Sequence, residues 1–440
     1  MRFTPYYLVL ILFLFQACKS GPFNLLKTAS PHQQYERKLV NAGLNQSSMG
    51  ERWITKANSL LQNASTVKVP YKETGYFASD KVDGASLKFN LQRGQMLTAK
   101  LSKQSVSGFA IYMDIWELKD NGEYKNLAFA DSLGAELQLE AKRSGDYVLR
   151  LQPELLGSGS YTLELSIGPS LGYPLKVINR KQIQSFFGVG RDNNSRKHEG
   201  IDIFSSFRTP VVAVSEGTVT RVNENNLGGK VVWFRPKDKD YTLYYAHLDE
   251  QIATTGQEVR LGDTLGLMGN TGNAKTTPPH LHFGIYTSEG AVDPLPFVDP
   301  LISSIPSINA DISKLNLTMR TSAKQTSFSA SQQLTNAESL AQYTVVRILS
   351  ASSNQYKVEL PNGKSGYISS KSLTEAKPIS TRKIAVGNQS LFDNPNPLAG
   401  IKMTLDVGQK VSLLGNFENF QLVSTSKGEI GWLNNKVIKL

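Results

Sequence analysis

The chain has 440 residues, too many for one ordinary hydrophobic core, so two to four domains of roughly 100–150 residues each are expected. Hydrophobic residues at 40% and charged residues at 19% exclude a largely disordered chain. The net charge of +11 favours anionic partners, but the basic residues never form a run of five, which argues against nucleic acid, and a single cysteine excludes internal disulfides.

Arg2 precedes the apolar run YYLVLILFLF, Tyr6 to Phe15, which is too short to span a bilayer but suits the core of a signal peptide. Cys18 follows directly, in LFQACKS. This arrangement resembles a bacterial lipoprotein signal. The resemblance implies removal of residues 1–17, an exported protein and a lipid anchor on Cys18. Phe15 and Gln16 depart from the strict pattern, and a conventional signal peptide with an incidental cysteine is the alternative. Lys19 follows the cysteine where Asp would signal retention, which by the same resemblance implies an outer-membrane lipoprotein facing the periplasm.

Residues 18–66 are expected to form a short helical pair. Tyr35, Leu39 and Ala42 repeat at helical spacing, Gly43 interrupts, and Trp53, Ala57, Leu60 and Leu61 resume one apolar face. Over 67–170 the period becomes two. Leu87, Phe89 and Leu91 alternate with polar residues, as do Leu97, Ala99 and Leu101, then Ile111, Met113 and Ile115, then Tyr147, Leu149 and Leu151, then Tyr161, Leu163 and Leu165. Turn sequences such as KDNGEY and LGSGSY separate these runs, and the spacing predicts an antiparallel β-sandwich. Its last part, SGDYVLRLQPELLGSGSYTLEL, resembles the jelly-roll accessory domains found beside secreted bacterial peptidases.

The segment 173–300 is rich in β-branched and aromatic residues punctuated by glycine turns, as in TPVVAVSEGTVTRV and GDTLGLMGNTG, which predicts an antiparallel sheet. It also carries four of the five histidines of the chain. His280 and His282 stand two apart in HLH, so a strand would point both into one cleft and turn Leu281 to the core. His198 and Asp202 bracket Gly200 in HEGID, whose tight turn would bring imidazole and carboxylate together. A His, Asp and His set leaves one position of a tetrahedral zinc open for water, as a catalytic site needs. GNTGNAKTT lacks the glycine before lysine that a phosphate loop requires and precedes a strand, so Gly266, Gly269 and Gly272 are expected to shape turns.

HEGID, YAHL and GNTGNAKTTPPHLHFGIY together resemble the lysostaphin-like (LytM-type) zinc metallopeptidases, which cut peptide cross-links in peptidoglycan. The resemblance covers most of 173–300, with FGVGRDNNSRKHEGIDIF upstream and VDPLPF downstream. It implies one Zn2+ held by His198, Asp202 and His282, with His247 and His280 as the catalytic imidazoles. His280 is the chosen general base because it neighbours a ligand on the same strand. Arg191, Tyr245 and Asn270 lie close to these motifs and are candidate substrate contacts.

Residues 301–312 have a linker's composition. Beyond them Gly363, Gly366, Tyr367, Lys371 and Leu373 recur at equal offsets as Gly428, Gly431, Trp432, Lys436 and Ile438. These two units, 313–376 and 380–440, resemble bacterial SH3-like domains, which implies wall binding, with a spacer or lid as the alternative. The fold expected overall is mainly β and multidomain: short N-terminal helices, a jelly-roll-like sandwich, an antiparallel-sheet metallopeptidase domain and two SH3-like small barrels. The function implied is a zinc metalloendopeptidase of the cell wall with peptidoglycan as partner. A lipoprotein that binds wall and regulates other hydrolases, itself without catalysis, is the alternative, and a regulatory protein partner belongs to either.

Overall fold

The computed structural model describes residues 29–104, 108–130, 136–191, 193–385 and 387–435. The leader, Cys18 and the repeat positions Lys436 and Ile438 lie outside these residues. The described chain is mainly β, in several sheets, with few helices.

Two helices open it. Ser30 caps Pro31–Asn41 through a reciprocal bond with Gln33, satisfying two backbone donors that the first turn leaves free. Gly43, at φ +70°, turns the chain into Ser48–Gln62. The second helix docks on the strand Gly145–Pro153, with the Trp53 indole donating to the Pro153 carbonyl at 2.8 Å and Gln152 donating to the Trp53 carbonyl at 2.9 Å. Arg150 is buried there, bonded to Asp114 and to the Ala57 carbonyl.

The sandwich beneath follows from the period-two runs. One sheet is ordered Tyr71–Phe77, Gly159–Pro169, Gln95–Gln104, Leu137–Glu140, and the other Ala85–Leu91, Gly145–Pro153, Ile111–Leu118, Tyr124–Ala130. The chain changes sheet at every connection but one, the interleaving of a jelly roll. All five alternating runs read from the sequence bury their apolar members in a single core between the sheets.

The first of these sheets does not end at the sandwich. Tyr71–Phe77 also pairs with Val345–Ser352, so the strands Gln355–Glu359 and Ser365–Ser369 of the C-terminal region extend the same sheet. Tyr367 enters the sandwich core, and its hydroxyl meets that of Tyr71 at 3.0 Å. Beside them Glu73 is fully buried and accepts from the hydroxyls of Tyr71, Tyr161 and Ser350. A buried carboxylate survives only with such partners.

The sequence repeat is also a structural one. Gly363 and Gly428 turn at φ +85° and +83°, while Gly366 and Gly431 each press against the backbone and an apolar side chain of a neighbouring strand. Tyr367 and Trp432 are both buried.

The histidine-bearing segment forms its own antiparallel sheet, ordered Ile183–Ser185, Ile201–Phe204, His280–Thr287, Thr242–Gln251, Gly229–Pro236, Gly217–Asn225, Glu258–Val259. One face packs on a core that includes Ile203, Phe234, Leu243, Leu281 and Phe283. The other face carries the site. The sandwich meets this domain elsewhere, through Phe297 against Gly94 and through Lys239 and Tyr241 at Glu140.

Candidate metal centre

Strand register assembles the site. Asp202 on Ile201–Phe204 pairs directly with His282, and His282 pairs on its other side with Ala246. The strand parity that sinks Leu281 into the core brings His280 and His282 out on the opposite face.

His198 Nε2, Asp202 Oδ1 and His282 Nδ1 stand 3.0 Å from one another in all three pairings. A tetrahedral zinc site with bonds of about 2.0–2.1 Å implies ligand separations only slightly larger, so this donor set fits the ion. Both imidazole nitrogens offered to it belong to largely buried rings. His198 donates through Nδ1 to the Phe186 carbonyl at 2.9 Å, a contact that would turn its Nε2 lone pair to a bound ion.

Burial opposes the charge of Asp202, yet its contacts with His198 and His282 outweigh that and hold its carboxyl far below the usual range. Burial lowers His282, against the pull of Asp202. Arg191 donates to Asp202 Oδ2 at 2.7 Å and to Ser185 at 2.6 Å. It therefore occupies the outer oxygen and leaves Oδ1 turned inwards.

Gly200 serves this arrangement differently from the sequence expectation. Its φ is not positive, so a tight turn does not require glycine here. Space does: a Cβ would fall 2.5 Å from the Phe283 carbonyl oxygen and 2.7 Å from Cε1 of His282.

The other two imidazoles stand beside the ligands. His247 and His280 lie with ring centroids 4.9 Å apart, and His247 lies 5.9 Å from His282. His247 donates through Nδ1 to the Thr271 carbonyl at 2.8 Å, and His280 to the Pro278 carbonyl at 2.9 Å. Carbonyls only accept, so in the neutral form of each ring the proton sits on Nδ1 and Nε2 is the acceptor. Burial, and then the neighbouring His280 and His282, push His247 down to about 4. His280 also stacks on Phe204 at 4.8 Å. His247 is held at φ +64°, a costly conformation for a side-chain-bearing residue, fixed here by its amide donating to the Gly228 carbonyl at 2.8 Å.

These five side chains line one cleft of about 610 Å³. Its remaining wall includes Tyr244, Trp233 and Tyr286, whose rings pack within 4.4 to 6.1 Å of each other. Among the described residues, none from the helical pair, the sandwich or the C-terminal units lines it. A larger cavity of about 1100 Å³ lies between Ser48–Gln62 and the C-terminal strands and contains no histidine, so volume is a poor guide to the chemistry.

Two candidate contacts are placed differently from expectation. Tyr245 is wholly buried in the core and cannot touch substrate; Tyr244, one residue earlier, faces the cleft. Asn270 turns into its own loop, donating to the Thr277 carbonyl at 3.3 Å, and is not part of the cleft wall. Arg191 does reach the cleft, through Asp202. Sequence reasoning missed Tyr244, Trp233 and Tyr286, whose alternating positions on paired strands were the available signal.

A His, Asp and His triangle open to a cleft, flanked by two imidazoles with free Nε2 atoms, defines the class of metal-dependent hydrolases. Residues 196–294 match Peptidase family M23, so the chain carries an M23 peptidase domain. An uncharacterized metalloprotease of Haemophilus influenzae is 29% identical over 49% of this chain and 43% of its own length. An L-Ala--D-Glu endopeptidase of Bacillus subtilis is 33% identical over 28% of this chain and 41% of its own. The chain thus spans less than half the length of these curated relatives. The solved catalytic domain of the antimicrobial peptidase lysostaphin from Staphylococcus simulans is 29% identical, covering 27% of this chain and 93% of that one, with a TM-score of 0.24.

Proposed function

We propose that the protein is a zinc metalloendopeptidase that hydrolyses peptide cross-links of peptidoglycan. The observation that carries this reading is the triangle of donor atoms at 3.0 Å, set beside two imidazoles whose Nε2 atoms are free. The M23 match over residues 196–294 and the endopeptidase relatives support it.

His198, Asp202 and His282 would hold the ion, which supplies a Lewis acid that polarises an amide carbonyl and acidifies water. Arg191 keeps Asp202 turned towards it. His247 and His280 each present an Nε2 that can take a proton from water and return it to the departing amine. Either imidazole, once protonated, can also donate to the developing oxyanion. The carbonyls of Thr271 and Pro278 fix both rings in the tautomer these roles need. Tyr244, Trp233 and Tyr286 supply an aromatic wall against which a peptide can lie.

The same reading makes the chain an exported lipoprotein anchored through Cys18, with SH3-like units that hold the wall near the cleft. Metal analysis of the purified protein, with digestion of cross-linked muropeptides and mass analysis of the products, tests it. Stoichiometric zinc and a chelator-sensitive split of the cross-link are expected. Intact muropeptides in the presence of bound zinc would overturn the reading in favour of a wall-binding regulator.

A further inference from the structure

A second groove, of about 530 Å³, opens on the same face of the catalytic sheet and shares Trp233 and Tyr286 with the metal cleft. Its walls add Arg221, Arg235 and Thr242, with Asp240 also in its lining. Strand register makes the two clefts one continuous floor. His282, Gly284 and Tyr286 point to one face, and across the sheet Gly284 pairs with Tyr244, Tyr244 with Trp233, and Trp233 with Arg221. Arg235 follows Trp233 by two positions and so shares that face.

Neither guanidinium group has an ion-pair or hydrogen-bond partner among the described residues, in contrast to those of Arg191, Arg208 and Arg347 in the same chain. Both are exposed. With strands about 4.8 Å apart and about 3.3 Å per residue, their backbones lie about 16 Å from that of His282. Their side chains bring the guanidinium groups closer. An extended peptide with its scissile bond at the imidazoles would place a residue about three to five positions away over this groove.

We propose that Arg221 and Arg235 form an anion subsite that binds a carboxylate on the peptide substrate, several residues from the bond cleaved, with the chain crossing the saddle of Trp233 and Tyr286. Two planar guanidinium groups facing one groove are suited to a carboxylate, which each can grip through two parallel N–H donors. The lone Asp240 leaves a net positive groove. This inference deepens the peptidase reading and rests on it for the direction of the chain.

The test is direct binding to the full chain, measured by fluorescence polarisation on labelled cross-linked muropeptides, one with free carboxylates and one with those groups converted to carboxamides. The free acid should bind about tenfold more tightly than the amide. The double variant Arg221→Gln/Arg235→Gln should remove that difference while retaining zinc. Its KM for the free acid should rise with kcat unchanged. Equal binding of both probes to the wild type, or a preference that survives in the double variant, would overturn the subsite. A preference abolished by the double variant in a protein that cleaves neither probe would uphold the subsite and refute the peptidase reading instead.

Discussion

Gly200→Ala tests how tightly the backbone behind the metal centre is drawn. The added methyl would lie 2.5 Å from the Phe283 carbonyl oxygen, and 2.7 and 2.8 Å from Cε1 and Nε2 of His282. Against an ordinary contact of 3.4 Å, the shortfall is 0.9 Å to the oxygen and 0.6 to 0.7 Å to the ring. Phe283 cannot yield easily, because its strand is paired on both sides, with Ile201 and with Tyr245. The His282 ring must therefore move, and with it one corner of the triangle. Overpacking of this kind costs about 1–3 kcal/mol, and disturbance of a ligand's support weakens metal binding by about 10- to 100-fold. Zinc affinity from competition with a chromogenic chelator, and urea unfolding of the metal-free protein, measure the two effects. A folded variant with wild-type zinc affinity would refute the argument that Gly200 is there to make room for the ring.

Further outcomes follow from the same geometry. His282→Ala should abolish zinc retention, measured by elemental analysis, whereas His247→Ala should keep the ion and lower kcat by about 10²–10⁴-fold; cleavage at the wild-type rate by either would contradict the assigned roles. Glu73→Ala strands the hydroxyls of Tyr161 and Ser350 and leaves that of Tyr71 with Tyr367 alone, and should cost about 3–5 kcal/mol in urea unfolding, whereas a loss of a few tenths would show the network to be slack. Burial, and then Arg150, push His32 from 6.5 down to about 4. The unfolded chain therefore takes up a proton that folded His32 refuses, so its contribution is full above pH 6.5 and drains by about 3 kcal/mol as pH falls towards 4. His32→Gln should flatten that slope in unfolding experiments at pH 7 and pH 4.5; an unchanged slope would place its origin elsewhere.

Much of the fold was legible because the shared core imposes period two on the apolar residues that face it: the five apolar runs read from the sequence all meet in one core. The nearness of His198 and Asp202 was legible from the spacing of HEGID, whereas the choice of His282 over His280 came from the family resemblance, because both histidines of HLH share one strand face. The misassignment of Tyr245 has a specific cause. If His247 faces the cleft, strict alternation puts Tyr245 on the same face, yet the φ of +64° at His247 and the register shift between Lys230 and Val232 break the alternation at that point. Tyr244 and Ala246 keep the cleft side, and His247 is rotated to join them. A backbone irregularity of that kind leaves no periodic trace in the residues. The union of the sandwich with the C-terminal strands was hidden for another reason: it depends on pairing between positions almost 280 residues apart, Thr74 with Ala351 and Gly75 with Ser350.

That pairing closes the accessory parts into a loop. The chain leaves the sandwich, builds the peptidase domain, and returns to seal Glu73 with Ser350 from far downstream. The peptidase domain is thus inserted between two parts of one frame, and deletion of the C-terminal strands would lay open Glu73 and the slot that Tyr367 fills. The sheet that joins the two halves therefore bypasses the metal centre: its strands come from the sandwich and the C-terminal region alone, and among the described residues none of them belongs to 173–300.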